Sequence, residues 1–452
     1  MLNFREQNLH MKTLQTSRVD PQTPLVGIAV RKPWQRSVLT FLLVVGPGLI
    51  VMAADNDAGA VSTYTQAGAQ YGKHLLWLLI LLLPTCYFIQ EMVARLGIAT
   101  GQGHAAMIYQ RFGKWWGVFS LVDLLILNFL TLVTEFAGIS LAATQMGLPP
   151  VAVVPLAALA LMALVTTGSY RRWERMTIAL CLLNLAWLVL AFMSHPSGRD
   201  VVRNLVVPNI PHGGLTSGLV FTVIAIVGTT IAPWQLFFQQ STVADKKLRF
   251  ADLKFARLDT FLGACLTVVV AGCMMLIGDA ALRHQIPFSA DSFDPAKMAV
   301  ALGHVFGPWF KTGILILMVD ASVLGATAIS LSSAYAYGEV RGWSHGLQKS
   351  IKDAPGFYGT YIACVALAAG LVLIPHAPLQ LIIVSVQVLA GVMLPSAIIF
   401  LQLLLNDRAL LGAEWANKPW NNVVNWTIIV VLFILSLILA LQVIAPNLFP
   451  AS

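Results

Sequence analysis

Charged residues are scarce in this chain. Asp, Glu, Lys and Arg make up only 11% of its 452 residues, whereas a soluble domain carries about 25%. Hydrophobic residues reach 58%, and apolar stretches near the ~20 residues that cross a bilayer recur from residue 38 to residue 446. This composition excludes a soluble globular protein and predicts an all-α polytopic membrane protein.

Cysteine is also rare. The chain has 5 cysteines, all in apolar segments: Cys86, Cys181, Cys265, Cys273 and Cys364. Their spacing fits neither a metal–thiolate site nor a disulfide framework. We therefore expect buried thiols and no bound cofactor.

The first residues lack a long apolar run. Residues 1–37 are polar and have no apolar core of the signal-peptide kind, so they are expected to form a cytosolic N-terminal tail. Eleven spans are predicted after it, at 38–72, 74–97, 115–145, 149–168, 175–194, 216–240, 259–281, 309–338, 357–375, 378–405 and 424–446.

The basic residues are unevenly distributed between the predicted loops. With the N-terminus inside, 22 of the 28 Lys and Arg residues fall in cytoplasmic segments. This bias follows the positive-inside rule and predicts a cytoplasmic N-terminus and an outside C-terminus in a bacterial-type inner or plasma membrane. Orientation in the bilayer therefore accounts for the net charge of +8, and no nucleic-acid partner is expected.

Two predicted spans are interrupted. The first contains AADNDAGAV (53–61), which places Asp55 and Asp57 in an apolar run although each Asp costs roughly 2.5 to 3.5 kcal/mol there. The sixth contains GTTIAPWQ (228–235), in which Pro233 lacks the N–H of a helix interior. Two broken helices five spans apart favour an inverted-repeat transporter whose breaks meet at the bilayer midplane. The two carboxylates are then expected to face a cation.

At these residues the chain resembles the Nramp family of divalent-metal transporters. Several motifs in the same order carry the resemblance: GPGLIVMAADNDAG (46–59), TQAGAQYG (65–72), ARLGIATG (94–101), TEFAG (134–138) and NDRALLG (406–412). The resemblance implies a LeuT-type fold, with helices 1 and 6 broken at the midplane. It also implies two inverted five-helix repeats, expected at 38–194 and 216–405, and an eleventh helix at 424–446.

The departures from the family pattern concern the metal site. Typical members read Asp-Pro-Gly-Asn in the first helix and Met-Pro-His-Asn in the sixth. This chain reads Asp-Ala-Gly-Ala at 57–60 and Ala-Pro-Trp-Gln at 232–235. Leu132 also stands where typical members have an Asp three residues before the Glu of the third helix. The soft ligand, the titratable histidine and one proton-path acid are missing together, a pattern similar to the Nramp-related magnesium transporters.

The candidate metal residues are Asp57, Gln235, Glu135, Asp55, Asn56 and Ala232. The resemblance implies that Asp57 meets the ion, and the amide oxygen of Gln235 is well placed as an acceptor. Glu135 is an intramembrane acid, which favours a functional role over a structural one. Asp55 and Asn56 have no counterpart in the family motif and either line the vestibule or cap a half-helix.

Other polar residues receive weaker predictions. Trp234 is expected to fill the space of the absent histidine, and Gln387 to act as an outer donor. Asp320 and Asp123 lie within spans but are not expected to be primary ligands. His104, in the loop after the second span, is expected to be an ordinary solvated histidine.

These residues predict a transporter of divalent cations, Mg²⁺ and also Mn²⁺, that is not an enzyme. The ion is expected to be hydrated at an oxygen-lined site and to cross by alternating access without proton coupling, because oxygen ligands suit Mg²⁺ and Mn²⁺. Two alternatives stay open: a proton-coupled Mn²⁺/Fe²⁺ symporter and a sodium-coupled organic-solute symporter of the same fold. A membrane hydrolase is disfavoured because the spans contain no His–Glu or Ser–His arrangement.

Overall fold

The computed structural model describes residues 40–444 apart from 42, 167, 212–213, 215, 289–292 and 376. The predicted tail at 1–37 and the last two residues of the predicted eleventh helix lie outside these described residues. The regular structure that is described is helical, which confirms the all-α prediction. In chain order the α-helices are α1 (Pro47–Ala54), α2 (Ala58–Tyr71), α3 (Leu76–Thr100), α4 (His104–Phe112), α5 (Lys114–Gln145), α6 (Pro150–Val165), α7 (Tyr170–Leu183), α8 (Ala186–Met193), α9 (Gly198–Val206), α10 (Ser217–Thr230), α11 (Pro233–Asp245), α12 (Leu253–Arg283), α13 (Pro295–Phe306), α14 (Pro308–Arg341), α15 (Pro355–Val372), α16 (Leu379–Asn406), α17 (Arg408–Leu411) and α18 (Pro419–Ile444).

Nine helical segments of the described chain are long and apolar enough to cross a membrane, with α7–α8 and α10–α11 each counted as one. The shorter apolar helix α6 and the pair α1–α2 correspond to the remaining two predicted spans. Each of the eleven predicted spans thus corresponds to a helix or a pair of helices in the described chain, and that all eleven cross the membrane stays a prediction. The fifth span begins at Tyr170, five residues before its predicted start.

The first break lies between α1 and α2. The α1 helix ends at Ala54, and Asp57 takes an extended conformation with φ −76° and ψ −172°. Its side chain accepts a hydrogen bond from the backbone N–H of Ala60, so Asp57 is the N-cap of α2. A capping carboxylate satisfies an amide that has no partner within the helix. The local sequence therefore restarts the helix where the apolar run is interrupted.

The second break lies between α10 and α11. Ala232 is extended, with φ −93° and ψ 144°, and Pro233 occupies the first turn of α11. Proline suits that position because its missing N–H would have no helical partner there. Tyr64 of α2 and Thr230 at the end of α10 contact each other through their hydroxyls at 2.6 Å. The two breaks are thus held side by side within the bundle, which confirms the predicted pair of broken helices.

Candidate metal site

A chain of side-chain amides joins the two breaks. The amide nitrogen of Gln235, on α11, donates to the Oδ1 atom of Asp55. The amide nitrogen of Gln90, on α3, donates to the Oε1 atom of Gln235 at 2.7 Å. These contacts bring two of the candidate residues, Asp55 and Gln235, together and add Gln90. In this arrangement the Gln235 oxygen is already engaged, so Gln235 orients Asp55.

Asp57 has a different set of partners. Its carboxyl group is hydrogen-bonded to that of Glu135, on α5. The Oε2 atom of Glu135 also accepts the backbone N–H of Ala58 at 3.1 Å. Gly325 of α14 allows this close packing, because a Cβ atom there would lie 2.7 Å from the Asp57 Cβ and 2.9 Å from the Glu135 Oε2. Asp57 and Glu135 therefore form one carboxyl pair beside the break.

Several polar atoms around the breaks are buried without a hydrogen-bond partner among the described residues. They are the Oδ2 atom of Asp55, both amide atoms of Asn56, the Oε1 atom of Gln90 and the Nε2 atom of Gln387. Asn56 is 0% exposed and Asp55 1% exposed. Burying a polar group without a partner is costly, and such groups in native proteins call for an explanation. Oxygen atoms left in this way suit a cation.

The electrostatics of the site also favour a cation. Three acids, Asp55, Asp57 and Glu135, are buried close to the breaks. Their hydrogen-bond partners in the described structure are amides, a hydroxyl and one another. Because these partners carry no positive charge, an entering cation would compensate the acids directly.

Ala232 and Trp234 set the shape of the sixth-helix side. The Ala232 carbonyl accepts the backbone N–H of Gln235 at 3.1 Å, and its small side chain is 3% exposed. Trp234 is buried and packs against Phe238 with the ring centroids 6.3 Å apart. Its backbone oxygen accepts the hydroxyl of Ser332 at 3.0 Å. Trp234 is therefore a buried packing residue next to the break, and its place in the space of the absent histidine stays a prediction.

The other intramembrane acids lie elsewhere. Asp320 accepts the side-chain amide of Asn184, where the fifth span is interrupted between α7 and α8, at 3.0 Å. Asp123 accepts the hydroxyl of Ser396 at 2.9 Å. Neither contact belongs to the cluster at the two breaks. Sequence reasoning missed Gln90, although a glutamine deep within an apolar span was an available signal.

A comparison with known protein families identifies the class of protein to which these paired breaks and buried acids belong. The family described as "Natural resistance-associated macrophage protein-like" matches residues 48–442 of the chain. The chain belongs to the Nramp family. It is thus an integral, multi-pass membrane transporter and not an enzyme, as predicted.

Individual relatives are distant but cover most of the chain. The divalent metal cation transporter MntH of Staphylococcus aureus is 24% identical over 426 residues, which are 89% of this chain and 91% of that protein. Among solved structures, the manganese transporter of Eremococcus coleocola is 19% identical. It matches with a TM-score of 0.76 over 95% of this chain and 92% of that one.

A second structural neighbour matches with a lower score. MhsT in complex with L-phenylalanine is 15% identical, with a TM-score of 0.57 over 92% of this chain and 98% of that one. At such identities the similarity describes the fold alone. The fold of this Nramp protein is the predicted LeuT-type fold.

Proposed function

We propose that this Nramp protein transports divalent metal cations, with Mg²⁺ as the main substrate and Mn²⁺ as a second one. The observation that carries the proposal is the buried oxygen set at the first break. The Asp55 Oδ2 and Asn56 Oδ1 atoms have no partner in the described structure. Both residues are buried and directly precede Asp57 in the sequence. A divalent cation would satisfy these oxygens, and the substrates named for MntH and the Eremococcus transporter agree with this class of ion.

The type of ligand supports Mg²⁺. The candidate donors at Asp55, Asn56, Asp57 and Gln235 are all oxygen atoms, and carboxylate and amide oxygens suit Mg²⁺ and Mn²⁺. Ala232 supplies no thioether, and its side chain is smaller than the methionine of typical family members. Mg²⁺ keeps several of its waters when it binds to proteins. We therefore propose a partly hydrated ion at this site.

The roles of the residues follow from their contacts. Asp57 is proposed as the direct ligand, and the Asp55 Oδ2 and Asn56 Oδ1 atoms, which have no partner in the described structure, are proposed as further ligands. Gln235 holds Asp55 and offers its own oxygen only when Gln90 releases it. Glu135 holds Asp57 and the first turn of α2.

Transport is proposed to proceed by alternating access without proton coupling. The site is closed to both sides in this structure, because Asp55, Asp57, Glu135 and Gln235 are all at most 3% exposed. Trp234 cannot carry a proton where typical family members have a histidine. Leu132 likewise replaces an acid of the third helix.

One contact favours the proton-coupled Mn²⁺/Fe²⁺ symporter as a second candidate. The Asp57 and Glu135 carboxyl groups are hydrogen-bonded to each other, which requires a proton on one of them. If the arrival of the ion expels that proton along the transport path, uptake is coupled to protons. If Glu135 retains the proton, uptake is uncoupled.

The experiment that tests the proposed substrate is uptake into proteoliposomes with Mg²⁺, Mn²⁺ and Ca²⁺ in parallel. We expect uptake of Mg²⁺ and Mn²⁺ by the wild-type protein. Failure to transport any divalent cation would contradict the proposed function, and sodium-dependent uptake of an organic solute would support the remaining alternative.

A substitution at Ala232 tests selectivity in the same assay. Ala232→Met adds a soft sulfur donor and reduces the room for hydrating water, so the ratio of Mn²⁺ to Mg²⁺ uptake should rise about tenfold, equal to about 1.4 kcal/mol. Ala232→Leu is the matched control, since it adds similar volume without sulfur. An unchanged ratio in Ala232→Met would mean that residue 232 does not line the site.

A further inference from the structure

The chain enters the first half-helix through the motif Gly46-Pro47-Gly48, which the proposed ion site does not use. Asp259, on α12, accepts three backbone N–H groups at this point. Its Oδ2 atom accepts from Gly48 at 2.7 Å, and its Oδ1 atom accepts from Gly46 and Leu49 at 3.2 Å each. A carboxylate at a helix N-terminus satisfies unpaired amides and complements the helix dipole. Asp259 therefore fixes the start of α1 by accepting hydrogen bonds from the backbone N–H groups there.

Lys246 holds the preceding residues by their carbonyl groups. It follows the C-terminal end of α11, and its ammonium group donates to the oxygens of Val44 at 3.1 Å and Val45 at 2.8 Å. The same group donates to the Oε1 atom of Glu174, on α7, at 2.5 Å. Since a lysine has three donors, all of them are used. Lys246 thus ties the second broken helix to the entrance of the first.

Gly46 permits this arrangement. Its φ of +147° lies in a region that L-residues rarely adopt. A Cβ atom at this position would also lie 2.3 Å from the Glu174 Oε1. Glycine is therefore required both by the backbone and by the carboxylate packed against it.

A cavity of about 690 Å³ begins at these groups. It is lined by Val45, Glu174 and Lys246, together with basic residues of α7 that include Arg171 and Arg175. The candidate metal residues are not part of its lining. Because α1 has eight residues and a helix rises about 1.5 Å per residue, the cavity and the ion site are about 12 Å apart along α1.

We propose that Asp259, Lys246 and Glu174 form a latch that seats α1, and that release of the ion into this cavity requires the latch to open. The part about ion release depends on the function proposed above, whereas the latch itself does not. Two carboxylates, on α7 and α12, and one ammonium group, directly after α11, meet at the start of α1. A small separation of these three helices therefore breaks several charge-assisted bonds together. The latch sets how often the inner side of the site is open.

Hydrogen–deuterium exchange of the full chain in lipid nanodiscs tests the latch without a transported ion. The variants are Asp259→Asn and Lys246→Met, which remove charges of the latch. Asp279→Asn is the matched control for the first, since Asp279 is buried on the same helix α12 but pairs with Arg283. Lys247→Met is the control for the second, since Lys247 is the exposed neighbour of Lys246.

The expected result is faster exchange along the whole of α1. In both latch variants the amides of Met52, Ala53 and Ala54, remote from the substituted groups, should exchange about tenfold faster than in wild type, and the two control variants should match wild type. If exchange becomes faster only at Gly46, Gly48 and Leu49, Asp259 acts only as a helix cap, and the proposed latch is contradicted. Wild-type exchange at all of these amides would overturn it as well.

Uptake assays then test the link to ion release. If the ion leaves through the latch, Asp259→Asn and Lys246→Met should raise the KM for Mg²⁺ uptake several-fold, because the outward-facing state is less populated, while Lys247→Met leaves KM unchanged. Faster exchange of α1 with an unchanged KM would overturn the release step. A lack of Mg²⁺ uptake by the wild-type protein would count against the proposed function and leave the exchange result standing.

Discussion

At the residue scale, two acids two positions apart receive different environments. Asp55 faces the amide of Gln235 and keeps one buried oxygen without a partner in the described structure. Asp57 caps α2 and shares a hydrogen bond with Glu135. The difference arises because the helix ends before Asp55 and restarts after Asp57, so that the two side chains leave the backbone in different directions.

Asp57 gives the most direct prediction. Asp57→Ala should lower Mg²⁺ uptake at least a hundredfold, equal to about 2.8 kcal/mol, because the substitution removes the proposed charged ligand. Uptake into proteoliposomes measures this, with Asp123→Asn as a control that removes an acid of α5 whose partner is Ser396. The melting temperature of the purified variant separates loss of transport from loss of folding. Near-normal uptake by a folded Asp57→Ala variant would refute the site.

The sequence could identify these acids but not their partners. Asp55, Asp57 and Glu135 were recognisable because carboxylates are rare in apolar spans. The bond from Gln90 to Gln235 was not, because it joins side chains 145 positions apart on two different helices. Gly325 was also out of reach, since its importance comes from the approach of α14 to the Asp57–Glu135 pair. Contacts of this kind depend on helix packing, which a linear pattern does not specify.

At the element scale, long apolar helices were predictable and short ones were not. The interruptions of the first and sixth spans followed from local composition, with Asp57 as an N-cap and Pro233 in a first turn. The helices α4, α9 and α13 lie between the predicted spans, and each has at most 12 residues, too few to be recognised as a membrane-crossing helix. The early start of the fifth span at Tyr170 was hidden by the charged residues that follow it.

The helix α4 also corrects the expectation for His104. Its ring is 0% exposed, its Nδ1 atom lies 2.9 Å from the Gln240 Oε1, and its edge packs on Phe237. The prediction of a solvated histidine is therefore wrong. The loop after the second span folds into a helix whose first residue turns inward, and burial lowers the pKa of His104 to about 4.

This burial predicts a pH dependence of stability. Because the pKa of His104 is about 4 in the folded protein and ~6.5 when unfolded, the unfolded state binds the proton more readily. The contribution of His104 to the free energy of unfolding is therefore fully present above the pKa of the unfolded state. It decreases as the pH falls towards the pKa of the folded state. Between about pH 7.5 and about pH 5 the loss from this residue is about 2 kcal/mol.

The variant His104→Gln should remove that part of the acid sensitivity. The measurement is the difference in melting temperature between the two pH values in nanodiscs, which should be smaller for His104→Gln than for wild type. His304→Asn, at an exposed histidine, is the control and should behave as wild type. Equal acid sensitivity in all three proteins would show that protonation of His104 does not limit stability.

At the scale of the whole molecule, the fold class came from composition and from the spacing of the breaks. An all-helical chain with broken first and sixth spans matches the fold of the Eremococcus transporter and of MhsT. The division into repeats at 38–194 and 216–405 stays a prediction, as does the cytoplasmic N-terminus. The division into repeats rests on the positions of the two breaks, and the orientation rests on the uneven distribution of Lys and Arg between the loops.

Proton coupling is also a property of the whole molecule, because it depends on the driving force across the membrane as well as on one side chain. A membrane potential of about 100 mV contributes roughly 2.3 kcal/mol per charge, and therefore roughly 4.6 kcal/mol for a divalent ion. At roughly 1.4 kcal/mol per decade, this supports accumulation on the order of a thousandfold. Uptake of a divalent cation therefore has no energetic need for a proton.

The last prediction is that metal uptake proceeds without acidification of the vesicle interior. The proton shared by Asp57 and Glu135 can pass wholly to Glu135 when the ion binds Asp57, and Glu135 is 0% exposed, so the proton stays in the protein. Trp234 and Leu132 provide no titratable group beyond it. Proteoliposomes with an internal pH dye should show Mg²⁺ or Mn²⁺ entry at constant internal pH. Acidification that requires the metal, increases with its concentration and disappears in Asp57→Ala would instead establish the proton-coupled mechanism, with Glu135 releasing its proton in each cycle.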